Sequence, residues 1–417
     1  MIYSPREKLQ LLRKQYKISQ IALVGNSISR SHLAMIETGK TKLNKKVAQS
    51  LVENFNNILK AKGIDEKITL DYLIEDTNIQ IMKKRAHYVE SLNKGILNEE
   101  LIQEIENFIK VSDVESKVVL YAKIGDFYYA AGHLKRAFDY FSRTFDEALI
   151  VNNSKFLENI ISKLTSINYL NGDYINNSFI EKAVKDKLSK MSLIKKQEIV
   201  NNFILSFSTL GDYDKAIYYI DFISKDVKDS EALYELETKK AKFMEEKGLF
   251  ASAISIYRGM LIKYKDEKKK FIISINLMIA YKLKGESSKV EAYYKKNIAT
   301  LKKYPITLET QWINYQMGEI ALYLYNTSKA LYYFKSVIEN INPNNSNSKL
   351  LMGTIHNILK LVKRDDYEFV KKIEELYFDQ DLDNNMLKIG YLFLNYYRNF
   401  NFYLDESRFL SRVCSVI

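Results

Sequence analysis

The residues with the clearest chemical capability in this 417-residue chain are polar and positively charged side chains near its start. Arg30, Ser31 and His32 occur together, and four lysines follow them: Lys40, Lys42, Lys45 and Lys46. Side chains of these types donate hydrogen bonds to base edges or attract phosphate oxygens. They indicate recognition of a polyanion. The alternative for each is a solvated surface residue, above all for Lys42 and His32.

Patterns for catalysis or metal binding do not occur in the sequence. It has no glycine-rich phosphate loop and no pair of histidines or cysteines at metal-ligand spacing. The four histidines are scattered, and each is better interpreted as a surface or packing residue: His32, His87, His133 and His356. We therefore expect a binding protein that is not an enzyme and uses neither a metal nor a cofactor.

Short helices must position the polar side chains. Ser4, Pro5 and Glu7 have the residue types of an N-cap, a first helical position and a capping box, so a first helix is expected to begin here. A second, short helix is expected at 19–24. Residues 25–27, Gly-Asn-Ser, tolerate positive φ and predict a tight turn after it.

A third helix should carry the polar side chains themselves. Ser29 can cap this helix and Gly39 can end it, which leaves residues 30–32 facing outward at its start. A recognition helix contacts base edges with this part of its length. Apolar residues spaced over 47–59 predict a fourth helix that closes the bundle.

The positive charge is concentrated in this bundle. Residues 1–60 contain eleven lysines and arginines against three glutamates, a net charge of +8 out of +12 for the whole chain. A compact basic head on a nearly neutral body suggests that the head meets the polyanion. The alternative is that a lysine-rich chain clustered its charge by chance.

Behind the head, five glycines recur at intervals of 40, 39, 37 and 37 residues: Gly132, Gly172, Gly211, Gly248 and Gly285. In the clearest copy, Gly125, Tyr128, Ala137 and Phe141 occupy the small and aromatic positions of the tetratricopeptide motif. Small residues let two antiparallel helices approach, and an aromatic ring fills the space beyond them. The chain is therefore predicted to be all-α, with an α-solenoid of degenerate tetratricopeptide-like hairpins.

Four segments follow from these patterns. We expect a helix-turn-helix head at 1–62, a helical connector at 63–113, repeats at 114–345 and a C-terminal helical cap or dimerisation region at 346–417. The last segment is expected to continue helical after Pro343, and its aromatic-rich stretch at 390–402 suits a cap or a dimer surface.

A helical solenoid has a groove lined by the first helix of each hairpin, which suits an extended peptide or a partner helix. Asparagine amides in such a groove can clasp a peptide backbone, because one amide offers both a donor and an acceptor. The alternative is that the asparagines reflect an asparagine-rich chain and the aromatic residues pack between helices. The groove candidates are Asn159, Tyr169, Asn201, Asn202, Thr238, Asn276, Trp312, Tyr315 and Glu319.

The head resembles the Cro/repressor-type (Xre) DNA-binding domain over about residues 5 to 60. The resemblance is carried by Ile-Ser-Gln at 18–20, Ile-Ser-Arg-Ser at 28–31 and Ile-Glu-Thr-Gly-Lys at 36–40. It implies that Gln20 bonds a phosphate or an adjacent base, and that the start of the third helix, from its cap Ser29 through Arg30, Ser31 and His32, enters the major groove. It further implies that Lys40 and Lys42 grip the DNA backbone. The alternative is a four-helix bundle kept for dimerisation that binds no DNA.

Head and repeats together resemble the peptide-responsive RRNPP regulators, the group of Rap, NprR, PlcR, PrgX and Rgg. The resemblance implies a homodimeric transcriptional regulator that binds an inverted-repeat operator in double-stranded DNA. It also implies that the repeats bind a short intercellular signalling peptide in quorum-sensing control, for example of sporulation, toxin or virulence genes. A protein-interaction module that sequesters a response regulator through its repeats is the alternative function.

Compartment is indicated by what the sequence lacks. Cys414 is the only cysteine, so an intramolecular disulfide is excluded and a reducing compartment is favoured. The first residues are charged too early for a secretory signal, and no apolar run approaches the ~20 residues of a membrane span. We expect a cytoplasmic protein.

Overall fold

A computed structural model describes residues 2–95, 98–151, 154–303, 311–340, 348–379 and 384–416. The protein is all-helical, with 81% of its residues in helices and no strand in the described ranges. Its internal contacts divide it into two compact units, residues 1–210 and residues 211–417. The predicted fold class is therefore confirmed at the level of an all-α chain.

The first unit begins with five helices that share one apolar core: α1 (Pro5–Gln15), α2 (Gln20–Val24), α3 (Arg30–Glu37), α4 (Lys45–Ala61) and α5 (Leu70–Ile74). Leu9, Leu33 and Phe55 are fully buried in that core, and so is Leu73 from α5. The core thus continues past the predicted boundary at residue 62. The four predicted segments stay predictions, and the boundary at 345 lies outside the described residues.

In the described part of the first unit, seven further α-helices follow: α6 (Thr77–Asn93), α7 (Glu99–Ile109), α8 (Val114–Ala130), α9 (Leu134–Val151), α10 (Ser154–Leu170), α11 (Tyr174–Val184) and α12 (Leu193–Thr209). A 3₁₀ segment at Lys185–Lys190 joins α11 to α12. The amide of Gln80 on α6 donates to the carbonyl oxygen of Tyr3 at 2.8 Å, and the buried ammonium of Lys8 donates to the carbonyl oxygen of Tyr72 at 2.7 Å. These bonds attach α5 and α6 to the start of the chain.

The second unit contains eleven α-helices in the described ranges: α13 (Tyr213–Ser224), α14 (Ser230–Glu246), α15 (Phe250–Lys263), α16 (Glu267–Lys284), α17 (Ser287–Leu301), α18 (Gln311–Tyr323), α19 (Thr327–Glu339), α20 (Ser348–Leu361), α21 (Tyr367–Phe378), α22 (Asn384–Asn399) and α23 (Tyr403–Val416). Helices from α14 to α23 contribute to one apolar core. Phe393, Tyr397 and Phe409 are fully buried in it, so much of the aromatic area near the C-terminus is internal. Pro305 and Pro343 lie outside the described residues.

The hairpins are held by the small and aromatic residues that the repeat pattern predicted. A Cβ added to Gly125 would lie 2.5 Å from the ring of Phe141, and one added to Gly318 would lie 2.5 Å from the ring of Phe334. The five recurring glycines turn the chain between helices with φ of 73° to 82°. Tyr325 takes the same place between α18 and α19 with φ of 57°. The predicted repeat of helical hairpins is therefore present.

Candidate functional sites

The first candidate site is formed by α2, the turn after it and α3. Ser19 and Ser29 cap these helices by accepting hydrogen bonds from the backbone amides of Ala22 and His32, both at 3.1 Å. The side-chain amide of Asn54 on α4 donates to the carbonyl oxygens of Leu23 and Val24 at 3.0 and 3.3 Å. The two caps and the bonds from Asn54 thus hold the end of α2 and the start of α3 in place.

A buried carboxylate ties three helices of the head together. Glu37, at the end of α3, is 7% exposed. It accepts two hydrogen bonds from the guanidinium of Arg13 on α1, at 2.8 and 3.2 Å, and one from the side-chain amide of Gln20 on α2, at 2.8 Å. Sequence reasoning missed this role, because Arg13 and Glu37 are 24 residues apart and nothing local signals their pairing.

The predicted base-reading residues lie together at the start of α3. Arg30 and Ser31 are exposed and His32 is half-buried. The guanidinium of Arg30 approaches the side-chain oxygen of Gln20 at 3.5 Å, and the hydroxyls of Ser29 and Ser31 are 2.9 Å apart. Since Glu37 holds the nitrogen of the same Gln20 amide, the oxygen is turned toward Arg30.

Cations flank this cluster after α3. Lys40 and Lys42 are exposed beyond Gly39, whose φ is 79°. The guanidinium of Arg6 lies against Gly39, so closely that a Cβ there would clash with it. A cavity of about 400 Å³ beside these residues is lined by Arg6 and Lys42, with one acidic residue, Asp76, also in the lining. Arg6 is therefore a further candidate contact for a polyanion, which the sequence pattern did not single out.

The groove candidates of the first unit are all on α10 and α12. Asn159 and Asn201 are exposed, and Tyr169 is half-buried with its ring 5.7 Å from that of Tyr174. Asn202 is half-buried, and its amide donates to the hydroxyls of Thr165 and Ser166 on α10, both at 3.0 Å. Asn202 thus joins two neighbouring first helices of the repeat. The assignment of all four as peptide contacts stays a prediction.

In the second unit, Tyr315 and Glu319 lie on α18 between two polar partners. The carboxylate of Glu319 accepts from Lys282 on α16 at 3.4 Å and from the amide of Asn357 on α20 at 2.5 Å. Tyr315 is half-buried, and burial together with the charge of Glu319 raises the pKa of its hydroxyl. Lys282 and Asn357 were missed, although they lie one repeat before and after Glu319.

The other groove candidates of this unit are less accessible. Asn276 is 4% exposed, because most residues of α16 between Phe271 and Tyr281 are buried. Trp312 is half-buried against that core, and the hydroxyl of Thr238 donates to the carbonyl oxygen of Tyr234 one turn earlier at 2.8 Å. Asn276 as a peptide contact stays a prediction, and it requires access that the present packing does not give.

Several polar side chains pair across one repeat length, and we call this set the repeat ladder. Its rungs within the two units separately are Asp126 with Lys163, Thr165 with Asn202, Glu231 with Lys269, Lys282 with Glu319, and Glu319 with Asn357. The partners are 37 or 38 residues apart. Equivalent positions of successive hairpins are therefore neighbours, as the period of the glycines requires.

No group of three or more metal-ligating side chains lies together in the described part of the chain. None of the helices in those ranges combines the length and the apolar character that a membrane span requires.

Comparison with known proteins gives distant likenesses. No family model and no curated protein matches the chain. A tetratricopeptide repeat protein from Parabacteroides merdae is similar over 66% of this chain and 97% of its own, with 10% identity and a TM-score of 0.47. The apo quorum sensor NprR from B. thuringiensis is similar over 99% of both chains, with 11% identity and a TM-score of 0.32. Bacillus thuringiensis PlcR, solved with the peptide PapR7 and DNA, is similar over 70% of this chain and 92% of its own, with 13% identity and a TM-score of 0.28. Since all three TM-scores are below 0.5, the functional inference rests on the chain's own residues.

Proposed function

We propose that this chain is a sequence-specific DNA-binding transcriptional regulator whose repeats bind a short signalling peptide. In this proposal the head is a Cro-type helix-turn-helix domain, with α3 as its recognition helix. The observation that carries it is the exposed start of α3, where Arg30 lies beside a Gln20 that is held by buried Glu37. Recognition helices contact base edges in the major groove with the residues at their N-terminal end.

The neighbouring cations suit the DNA backbone. Arg6 and Lys42 are exposed beside Gly39, and Lys40 is exposed at the next position of the chain. Contacts from such side chains to phosphate position a protein on the duplex, whereas base contacts supply the specificity. We propose that the operator is an inverted repeat bound by a homodimer, and that the protein acts in the cytoplasm.

The peptide part of the proposal rests on amides in accessible helices. Asn202 in the first unit and Asn357 in the second are half-buried and point to polar partners on adjacent first helices. A bound peptide backbone can replace those partners, because an amide donates and accepts at once.

Selection of DNA from a random library with the full-length protein tests the DNA-binding half. We expect enrichment of one inverted-repeat sequence by the wild type and loss of that preference in Arg30→Ala. Lys135→Ala, which removes an exposed cation from α9 outside the head, is the matched control. Equal enrichment by Arg30→Ala and the wild type would refute the assignment of α3 as the reading helix.

Thermal-shift screening of a library of synthetic heptapeptides tests the peptide half. A peptide that raises the melting temperature of the wild type should do so less in Asn202→Ala or Asn357→Ala. Asn107→Ala, an exposed asparagine of α7, should respond as the wild type does. If every hit stabilises all four proteins equally, these asparagines are not peptide contacts.

A further inference from the structure

The hairpins share three packing positions, counted from the turn residue between their two helices. The first lies four residues before the turn, and the others lie five and nine residues after it. In α8 and α9 these positions hold Tyr128, Ala137 and Phe141. Equivalent residues in the second unit are also apolar and buried or half-buried: Met244, Ala253 and Tyr257; Tyr281, Val290 and Tyr294; and Ala321, Ala330 and Phe334.

The hairpin of α10 and α11 has polar residues at all three positions: Asn168, Asn177 and Glu181. They are 1%, 0% and 6% exposed. The amide of Asn168 donates to the side-chain oxygen of Asn177 at 2.9 Å, and the Asn177 amide donates to the carbonyl oxygen of Thr165 at 3.0 Å. The side-chain oxygen of Asn168 is buried with no hydrogen-bond partner. The inward face of α11 is therefore partly polar, since Asn177 and Glu181 are buried there beside Ile180 and Val184.

The outward face of α11 is apolar. Ile175 and Phe179 are each 61% exposed, and Ala183 is exposed one turn further on. A spacing of four residues places these three side chains along one side of the helix. We call them the α11 apolar face. In α9 the residues equivalent to Ile175 and Phe179 are the exposed Lys135 and Asp139, so the apolar strip of α11 is absent from α9.

Positive charge borders the α11 apolar face. The ammonium of Lys182 lies 5.6 Å from the ring centre of Phe179. Lys185 and Lys190 are exposed just beyond it, and Asp186 is the one exposed acid between positions 182 and 190. An apolar strip beside lysines is complementary to apolar side chains flanked by carboxylates. A second copy of the same face would instead bring like charges together, which disfavours self-association here.

We propose that α11 docks an amphipathic helix of a partner protein, with acidic residues flanking its apolar side. Ile175 and Phe179 contact the apolar side of that helix, and Lys182 and Lys185 pair with its carboxylates. This docking surface differs from the predicted peptide residues Asn201 and Asn202 and requires neither DNA nor peptide binding. Because Ile180 and Val184 are already buried, these exposed side chains are the main apolar area that α11 can still bury.

Fluorescence anisotropy of the full-length protein tests the proposal with two labelled synthetic helices as probes. Each is an 18-residue peptide with leucines at helical spacing, and its remaining positions are glutamates in one and lysines in the other. We expect the acidic peptide to bind at least tenfold more tightly than the basic one. Phe179→Glu should weaken the acidic peptide at least tenfold, because it puts a carboxylate on the apolar side of the site.

The control is Tyr332→Glu, which changes a 68% exposed aromatic residue on α19, outside the docking surface. This variant should bind the acidic peptide as tightly as the wild type does. The double variant Lys182→Glu and Lys185→Glu should reverse the preference toward the basic peptide. Equal binding of the acidic peptide to the wild type and to Phe179→Glu would overturn the proposal. A dimer that is lost in Phe179→Glu but kept in Tyr332→Glu, as measured by light scattering, would also overturn it. Binding of phosphatidylserine vesicles by the wild type without binding of the acidic peptide would do the same. All of the substituted side chains are exposed, so we expect each variant to have the circular dichroism spectrum of the wild type.

Discussion

Glu37 connects α1, α2 and α3 through a single carboxylate that is nearly inaccessible to water. Its two bonds from Arg13 form the bidentate geometry that is strongest for this pair. Since Gln20 depends on the same carboxylate for its orientation, the side chain links the stability of the head to the position of a proposed DNA contact.

Replacing Glu37 with alanine should therefore destabilise the head and weaken DNA recognition together. Removing one member of a buried pair costs about 3–5 kcal/mol, and because Arg13 keeps 20% of its side-chain exposure we expect about 2–3 kcal/mol. Urea denaturation followed by circular dichroism measures this. Glu53→Ala on α4, where the glutamate is exposed, is the control, and equal losses in the two variants would contradict the role given to Glu37.

Glu245 on α14 should make the second unit sensitive to pH. Burial raises the pKa of its carboxyl to about 7, although the nearby hydroxyl of Tyr257 acts in the opposite direction. The folded state therefore binds this proton more tightly than the unfolded chain does, whose pKa is 4.5. The stability that the protonated form contributes is complete below pH 4.5 and is lost as the pH rises toward 7.

The variant Glu245→Gln should thus match the wild type near pH 4.5 and become progressively more stable than it up to pH 8. Differential scanning calorimetry across this range measures the change in melting temperature. The exposed Glu235 on the same helix supplies the control Glu235→Gln, which should not reproduce this pH-dependent gain. A pH-independent difference for Glu245→Gln would exclude titration of this carboxyl.

Individual residues differed in how far the sequence could predict them. The caps at Ser4 and Ser29 and the turn at Gly39 were predicted correctly, because each depends on bonds within a few residues. The partners of Glu37 were not predicted, because they come from other helices. Long-range pairing leaves no mark in a single sequence unless a repeat period supplies one.

At the scale of elements, the approach of two helices in a hairpin depends on the size of one residue. The Phe141 ring occupies the space where a Cβ on Gly125 would lie, whereas no atom lies within 4 Å of a Cβ added to Gly259 on α15. Both glycines lie inside helices, so alanine gains the same helix propensity at either position. Only the packing differs.

Gly125→Ala should consequently destabilise the first unit. Overpacking costs about 1–3 kcal/mol, and the gain in helix propensity offsets up to about 1 kcal/mol of that cost. Gly259→Ala should stabilise the second unit by about 0.5–1 kcal/mol. Thermal and urea unfolding of the two variants beside the wild type would show this opposition of sign. Stabilisation by both changes would mean that Phe141 moves aside without cost.

The period of the glycines was sufficient to predict the helical hairpins. Helix propensity and turn residues act locally, and every hairpin repeats them. The interior of α10 and α11 was not predicted, because Asn168, Asn177 and Glu181 interrupt the apolar pattern on which such predictions depend. These residues are buried because the neighbouring helices pack against α10 and α11, and Asn177 donates a hydrogen bond to Ser206 on α12.

At the scale of the whole molecule, charge is distributed very unevenly. The head holds +8 of the net +12 in fewer than a sixth of the residues. If the head binds DNA as proposed, it releases counterions from the DNA, so its affinity should fall steeply with salt. The groove candidates were harder to predict than this charge, because their accessibility depends on how each hairpin stacks on the next.

We expect the affinity of the full-length protein for the proposed operator to fall by about a thousandfold between 50 and 200 mM salt, as for about six phosphate contacts. Lys40→Ala should reduce the slope of log affinity against log salt by about 1 and leave sequence preference unchanged. Lys135→Ala should leave the slope as it is. A slope that is insensitive to Lys40 would remove this residue from the phosphate contacts.

The repeat ladder also restricts how the length of such a chain can vary. Each rung joins residues 37 or 38 apart, for example Lys282 with Glu319 and Glu319 with Asn357. Duplication of one complete hairpin offers the new copy a partner on each side. Insertion of two residues within α18 instead rotates Glu319 about half a turn away from both partners. Genes of this type are therefore expected to lengthen in steps of one hairpin, with smaller insertions confined to the connecting turns.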